Sequence, residues 1–221
     1  MVKTYQNKWV VSTKRVTIEG EESLEGVLRD GAGRGRIVIC HPHPLYGGAM
    51  WNNVVEAVED AFSECGYATL KFNFRGVGGS TGRYGEGEGE IRDVEAAAAF
   101  LRREAQGSGP LILAGYSFGA WVCARAAARV DDAAGLFLVA YPFTVYDTKE
   151  LLAFRGKVWF AGGAYDDISP LDSLMAVYKE IQTEKAIKVV PSSHFFEGCE
   201  AEIADFIRES FGAGKGGGCG A

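Results

Sequence analysis

The pattern Gly-x-Ser-x-Gly occurs twice in this chain, around Ser80 and around Ser117. A serine is set up as a nucleophile where a strand turns sharply into a helix, with small residues on both sides that let strand and helix approach. An apolar run at residues 111–114 precedes Ser117, and an apolar helical segment at 118–130 follows it. Ser80 instead enters a glycine-rich stretch that cannot start a helix promptly. The pattern therefore predicts Ser117 as the nucleophile and Ser80 as a loop residue.

The same turn predicts a site for negative charge. The first N–H groups of a helix have no internal acceptor, so the Phe118 N–H is expected to bind a developing oxyanion. A second donor is expected from the loop after the apolar run at residues 36–40. Its two prolines carry no N–H, so the donor is His43, Leu45 or a neighbour, and the position directly after the strand favours His43.

A serine nucleophile needs a general base and a carboxylate that orients it. His194 is the only one of three histidines that follows the predicted nucleophile, and it lies just after an apolar run at residues 186–190. The loop after the preceding strand, residues 157–161, contains Asp166 and Asp167 side by side. Either aspartate could instead form a turn or cap the next helix. Asp166 is the favoured partner of His194.

His41 and His43 form a His-x-His pair directly after a strand, which in a metal-dependent hydrolase can hold a metal ion. No carboxylate-rich ligand set accompanies the pair, and 221 residues is short for a (β/α)₈ barrel of about 250. The glycine-rich loop at residues 75–82 lacks the Gly-Lys-Ser/Thr ending of a phosphate-binding loop. We therefore predict no metal and no cofactor, and keep a metal hydrolase using His41 and His43 as the weaker alternative.

Composition limits the classes of partner. The formal net charge of −6 disfavours a nucleic-acid or anionic-membrane surface. We expect no signal peptide, because the N-terminal residues lack an apolar core, and no run is long enough to span a membrane. The five cysteines form no CxxC pair, which is typical of reduced thiols in a cytoplasmic protein.

Short apolar runs alternate with helical segments, which predicts a mostly parallel sheet covered by helices on both faces. The predicted strands are residues 10–18, 24–28, 36–40, 68–74, 111–114, 134–140, 157–161 and 186–190, and the predicted helices are residues 53–65, 90–104, 118–130, 171–182 and 197–211. We expect a single α/β domain over residues 1–211 and a flexible glycine-rich tail over 212–221.

These motifs resemble a compact bacterial branch of the α/β-hydrolase superfamily, close to dienelactone-hydrolase-like serine hydrolases. The matching pieces are His41-Pro-His-Pro-Leu-Tyr-Gly-Gly48, Phe72-Asn-Phe-Arg-Gly-Val-Gly78, Gly115-Tyr-Ser-Phe-Gly119, Asp166-Asp167 and His194-Phe-Phe196. They are spread in order over residues 36–211. The resemblance implies an eight-stranded sheet, a triad of Ser117, Asp166 and His194, and no cofactor.

The predicted function is hydrolysis of small carboxylic esters or thioesters through an acyl-enzyme on Ser117. The predicted partner is thus a small-molecule ester or thioester, with no nucleic acid and no membrane. Only residues 141–156 lie where this superfamily inserts a lid, so we expect no large cap and an open site. The candidate pocket aromatics, for which core packing is the default, are Trp51, Trp121, Phe143 and Phe195. The alternative is a non-catalytic binding protein on the same fold.

Overall fold

A computed structural model describes residues 12–105, 107 and 109–212. The strands are β1 (Thr13–Glu19), β2 (Ser23–Arg29), β3 (Gly35–Cys40), β4 (Tyr67–Phe72), β5 (Leu111–Tyr116), β6 (Ala133–Val139), β7 (Lys157–Gly163) and β8 (Lys185–Val190). The α-helices are α1 (Asn53–Glu64), α2 (Glu88–Glu104), α3 (Phe118–Ala126), α4 (Lys149–Ala153), α5 (Leu171–Glu180) and α6 (Glu200–Phe211). Apart from Gly212, the predicted C-terminal tail lies outside the described residues, as does the N-terminal segment 1–11.

The strands form one eight-stranded sheet in the order β1-β2-β4-β3-β5-β6-β7-β8. β1 and β2 are antiparallel to their neighbours, and the pairs from β4 through β8 are all parallel. The predicted eight-stranded, mostly parallel α/β architecture is confirmed. Because parallel strands end at the same edge of a sheet, the loops after β3, β5, β7 and β8 meet there.

The core has two halves because successive side chains of a strand point to opposite faces. In β3, Ile37 and Ile39 pack with residues of α1 and α6 on one face. Val38 and Cys40 pack with residues of α2 and α3 on the other face. Burial on both faces explains why the central strands read as unbroken apolar runs rather than alternating ones.

The largest differences from the prediction concern two helices, α3 and α4, while the ends of other predicted elements differ by up to three residues. α3 ends at Ala126 rather than at residue 130, because the Ala128 N–H bonds to the Arg125 carbonyl three residues back and the helix tightens into turns. The short helix α4 was not predicted, since five residues are too few to show a helical period. α4 is the only helix between β6 and β7, so the expected absence of a large cap is confirmed. Within the described residues, no helix is both long and apolar enough to cross a bilayer.

Candidate active site

Ser117 is the single residue between the end of β5 and the start of α3. Its backbone has φ 54° and ψ −119°, a strained conformation for a residue with a side chain. The Ser117 N–H donates to the Val139 carbonyl at 2.9 Å, which ties the turn to β6. The sharp turn predicted from the pattern is therefore present around Ser117.

The two glycines of the motif are required by close backbone approach. A Cβ atom at Gly115 would lie 2.2 Å from the Gly119 carbonyl oxygen. A Cβ atom at Gly119 would lie 2.5 Å from the Cys40 carbonyl oxygen, at the end of β3. Both separations are shorter than van der Waals contact. Without a side chain at Gly115, β5 and α3 can approach each other, and without one at Gly119, α3 can approach the end of β3.

The structure brings Ser117, His194 and Asp166 into one hydrogen-bonded chain. Ser117 Oγ lies 2.8 Å from His194 Nε2, and His194 Nδ1 lies 2.8 Å from Asp166 Oδ2. Asp166 Oδ1 accepts the N–H groups of Ile168 at 2.9 Å and Ser169 at 2.7 Å, which hold the carboxylate in place. Asp166 and His194 are buried. This geometry orients the imidazole so that Nε2 can accept the serine proton.

The neighbouring Asp167 is exposed, and none of the hydrogen bonds of the described residues uses its side chain. The two adjacent aspartates therefore differ completely in environment. Asp166 accepts loop N–H groups, as an aspartate that forms a turn does, and it also contacts His194. It therefore combines the turn role and the partner role that the sequence left as alternatives.

Tyr116 is a site residue that the sequence reasoning missed. Its buried hydroxyl donates to the His194 carbonyl at 2.7 Å. Burial, together with the nearby Asp166 charge, raises the pKa of Tyr116, so the phenol keeps its proton. The available signal was its place between glycine and serine in the motif, at the end of a strand that leads to the site.

The backbone donors near Ser117 divide into free and engaged groups. Among the described residues, no acceptor takes the N–H of Phe118 or that of His43. The Leu45 N–H donates to His43 Nδ1 at 3.2 Å, so it is not available to an oxyanion in this conformation. The rings of His43 and Phe118 lie 4.8 Å apart between centroids, which places the two loops side by side.

The His-x-His pair supports the loop after β3. His41 Nε2 accepts the Phe74 N–H at 3.0 Å, which leaves Nδ1 to donate to the Pro42 carbonyl at 2.6 Å. Burial lowers the pKa of His41 to about 4, so this imidazole is neutral. His43 Nε2 lies 3.3 Å from the Tyr84 hydroxyl. With both rings engaged in this way, the pair lacks free nitrogens for a metal ion.

No cluster of three or more histidine, cysteine or carboxylate side chains is arranged to hold a metal within the part of the chain that the structure describes. The metal-hydrolase alternative therefore has no ligand set among these residues.

Ser80, the serine of the second Gly-x-Ser-x-Gly pattern, has a structural environment. Its hydroxyl donates to the Asn73 carbonyl at 2.7 Å and accepts the Glu25 N–H at 3.0 Å. These bonds fasten the glycine-rich loop after β4 to β2. Ser80 is thus held in a loop, and neither of these two hydrogen bonds joins its hydroxyl to a histidine ring or a carboxylate group.

A cavity of about 560 Å³ opens beside Ser117. It is lined by Pro42, His43, Tyr46, Gly47, Gly48, Asn52, Tyr116, Ser117, Ile168, His194 and Phe195. None of these residues is an aspartate, glutamate, lysine or arginine. Of the four aromatic residues considered from the sequence, Phe195 lines the cavity, whereas Trp121 and Phe143 pack in the core and Trp51 is partly exposed.

The comparisons with known proteins agree with this architecture. A family model described as the alpha/beta hydrolase fold matches residues 35–186. An alpha-beta serine hydrolase homologue from Coxiella burnetii is 31% identical, with 92% of this chain and 99% of that chain covered and a TM-score of 0.82. A Xanthomonas campestris serine hydrolase described as lacking a lid is 26% identical, with 89% and 92% covered and a TM-score of 0.81.

Among curated proteins, an uncharacterised protein of Rickettsia prowazekii is 28% identical over 181 residues, which is 78% of this chain and 76% of that protein. The expected resemblance to compact bacterial serine hydrolases is confirmed by the family match and by the structural neighbours. This chain therefore belongs to the α/β-hydrolase family, whose fold supports a hydrolase function.

Proposed function

We propose that this chain is a serine hydrolase that cleaves small carboxylic esters or thioesters through an acyl-enzyme on Ser117. The observation that carries the proposal is the unbroken hydrogen-bonded chain from Asp166 through His194 to Ser117, with a 2.8 Å separation at each of the two histidine nitrogens. The supporting observation is the N–H of Phe118, directly after Ser117, which has no acceptor among the described residues. This is the arrangement of nucleophile, base and orienting acid that acyl transfer requires.

In the acylation half of the reaction, Ser117 Oγ attacks the acyl carbon and His194 Nε2 takes the serine proton. The carbonyl π electrons move to oxygen, and the resulting oxyanion accepts hydrogen bonds from the Phe118 and His43 N–H groups. Collapse of this intermediate breaks the bond to the leaving alcohol or thiol, which receives the proton from His194. Asp166 stabilises the imidazolium that forms in between.

In the deacylation half, a water molecule attacks the acyl-Ser117 ester while His194 takes one of its protons. The second tetrahedral intermediate uses the same two N–H donors. Its collapse returns the proton to Ser117 Oγ and releases the carboxylic acid. The free enzyme is regenerated, and one water is consumed for each ester bond cleaved.

The shape of the site supports a small, uncharged acyl group. The cavity is open and about 560 Å³, and only the short helix α4 lies between β6 and β7. Among the described residues that line it there is no aspartate, glutamate, lysine or arginine, so they offer a charged acyl group no ion pair. Esters of short, neutral acids therefore fit best.

The proposal is tested with Ser117→Ala and with Ser80→Ala as the matched control from the second motif. On p-nitrophenyl acetate and on S-phenyl thioacetate, we expect Ser117→Ala to lose at least about 10⁴-fold in kcat. Ser80→Ala should keep its rate and its labelling by a fluorophosphonate probe. If wild-type protein is neither active nor labelled, the chain is a binding protein on this fold. If Ser117→Ala is as active as wild type, the assigned nucleophile is refuted.

A further inference from the structure

Exposed apolar side chains are concentrated at one end of this molecule. Among the described residues, eight large hydrophobic side chains are exposed, and seven of them lie on the loops after β3, β6, β7 and β8. We call these seven the apolar rim: Leu45, Tyr46, Trp51, Val145, Tyr165, Ile168 and Phe195. The eighth, Val189, lies within the edge strand β8.

The loops that carry the apolar rim contact one another. The side chain of Asn53, the first residue of α1 and directly after the loop that follows β3, donates to the Phe195 carbonyl at 3.4 Å, which joins the start of α1 to the loop after β8. The Thr144 hydroxyl donates to the Ile168 carbonyl at 2.9 Å, which joins the loop after β6 to the loop after β7. The Tyr165 N–H, on the loop after β7, donates to the Ser192 carbonyl after β8 at 3.0 Å.

The rim is continuous with the cavity beside Ser117. Tyr46, Ile168 and Phe195 belong to the rim and also line the cavity, whereas the other four members lie outside the lining. Soluble monomeric proteins rarely leave a large apolar patch in water, and such a patch bordered by polar residues marks a surface that contacts another body. Whatever covers this rim therefore also covers the entrance to the site.

That position restricts the occupant. A stable protein partner or a second copy of this chain on the rim would close the cavity and prevent turnover. An occupant that is compatible with hydrolysis has to supply the substrate itself.

Charge restricts the occupant further. None of the rim residues is cationic, and exposed carboxylates adjoin them along the chain, at Asp147, Asp167 and Glu197. The chain as a whole carries a formal charge of −6. An anionic lipid surface would be repelled, because adsorption to such surfaces relies on lysine and arginine. An uncharged apolar surface meets no such barrier.

We propose that the apolar rim adsorbs to the surface of an aggregated neutral ester, such as a droplet of a short-chain glyceride, from which single ester molecules enter the cavity beside Ser117. This inference rests on the proposed function and extends it to the physical form of the substrate. It also differs from the prediction of a small-molecule partner and no membrane. The net charge disfavours anionic surfaces, but it does not bear on uncharged ones.

The test uses Val145→Ser combined with Tyr165→Ser. These side chains are 62% and 72% exposed and lie outside the cavity lining, so the double variant should fold and keep its rate on dissolved p-nitrophenyl acetate. Val189→Ser removes an exposed side chain that lies in β8 and is not a member of the rim, and it is the control. On tributyrin above its solubility limit, we expect the double variant to lose about tenfold in rate, because adsorption scales with buried apolar area. The control should match wild type.

Adsorption is also measured without catalysis, by flotation of Ser117→Ala with tributyrin droplets and with neutral or anionic phospholipid vesicles. We expect Ser117→Ala to leave the aqueous phase and float with the tributyrin droplets, and to bind little to anionic vesicles. The triple variant, which combines Ser117→Ala with Val145→Ser and Tyr165→Ser, should stay in the aqueous phase. Equal emulsion rates for wild type and the double variant, or preference for anionic vesicles, would overturn the inference. The inference would also be overturned if light scattering showed that the wild-type protein is a dimer and that the double variant is a monomer. Retained adsorption with no hydrolysis of dissolved or emulsified ester would refute the proposed function alone.

Discussion

The Tyr116 hydroxyl donates a 2.7 Å hydrogen bond to the carbonyl of His194, and both groups are buried. Tyr116 is the last residue of β5 and immediately precedes Ser117, whereas His194 lies on the loop after β8. The bond therefore joins the backbone that carries Ser117 to the backbone that carries His194. A displacement of less than an ångström between these two stretches of backbone would lengthen the Ser117–His194 contact.

Tyr116→Phe removes this hydrogen bond and keeps the ring. We expect kcat on p-nitrophenyl acetate to fall about tenfold with KM nearly unchanged, because proton transfer is affected while the ring that lines the cavity is retained. The loss of a buried hydrogen bond should also lower the free energy of unfolding by about 1–2 kcal/mol. A lowered free energy of unfolding with unchanged kcat would show that Tyr116 serves stability and not the position of His194.

Asp166→Asn and Asp167→Asn form a matched pair of neighbouring isosteric changes. An amide at Asp166 can present its NH₂ group to His194 and favour the wrong imidazole tautomer, so we expect kcat to fall by about 10³–10⁴-fold. Asp167 is exposed, and its change should leave kcat within about twofold. Steady-state kinetics on both variants measures the contrast. Comparable losses at the two positions would contradict the assigned orienting acid.

Gly119→Ala tests the close approach of α3 to β3. The new Cβ atom would lie 2.5 Å from the Cys40 carbonyl oxygen and 2.6 Å from that of His41, so backbone has to move on both sides. We expect a loss of about 2 kcal/mol in the free energy of unfolding and a fall of about a hundredfold in kcat/KM.

Gly79→Ala is the control for that change, because it lies in the second motif beside Ser80. The three heavy atoms nearest to its added Cβ atom would all belong to the Glu25 side chain, the closest at 3.3 Å, so no backbone atom is as close as at Gly119. Chemical denaturation should then show a change of no more than about 0.5 kcal/mol. If Gly119→Ala is equally mild, the carbonyl contacts do not restrict the elbow.

His41 makes stability depend on pH. Burial lowers its pKa from 6.5 to about 4. Between these two values the unfolded chain binds the proton more readily than the folded protein, so the free energy of unfolding decreases as the pH falls from 6.5 towards 4. Above 6.5 both states are neutral and this contribution is constant. The full decrease from His41 is about 3 kcal/mol.

Denaturation of wild type and His41→Gln across this range measures the contribution, because glutamine does not titrate. We expect His41→Gln to be less stable at neutral pH, since it disturbs the bond with the Phe74 N–H, and to show a shallower decrease on acidification. Parallel pH profiles for the two proteins would contradict a buried neutral His41.

Much of the fold follows from local sequence. The apolar runs of β3, β5, β6 and β7 predict strands because both faces of each strand are buried and every residue must be apolar. The turn at Ser117 is also local, because the two glycines that permit it lie within two residues of the serine. Boundaries such as the end of α3 were less accurate, since a helix end depends on hydrogen bonds that apolar periodicity does not show.

Tertiary structure decided what local patterns left open. The sequence by itself determined the types of side chain and the strand ends on which they lie, since those depend on local composition and spacing. The choice between Asp166 and Asp167, the Tyr116 bond to His194 and the apolar rim depend on contacts between residues 24 to 142 positions apart in the chain. Such distances are set by strand order and by the packing of loops at one sheet edge, where β3 lies between β4 and β5.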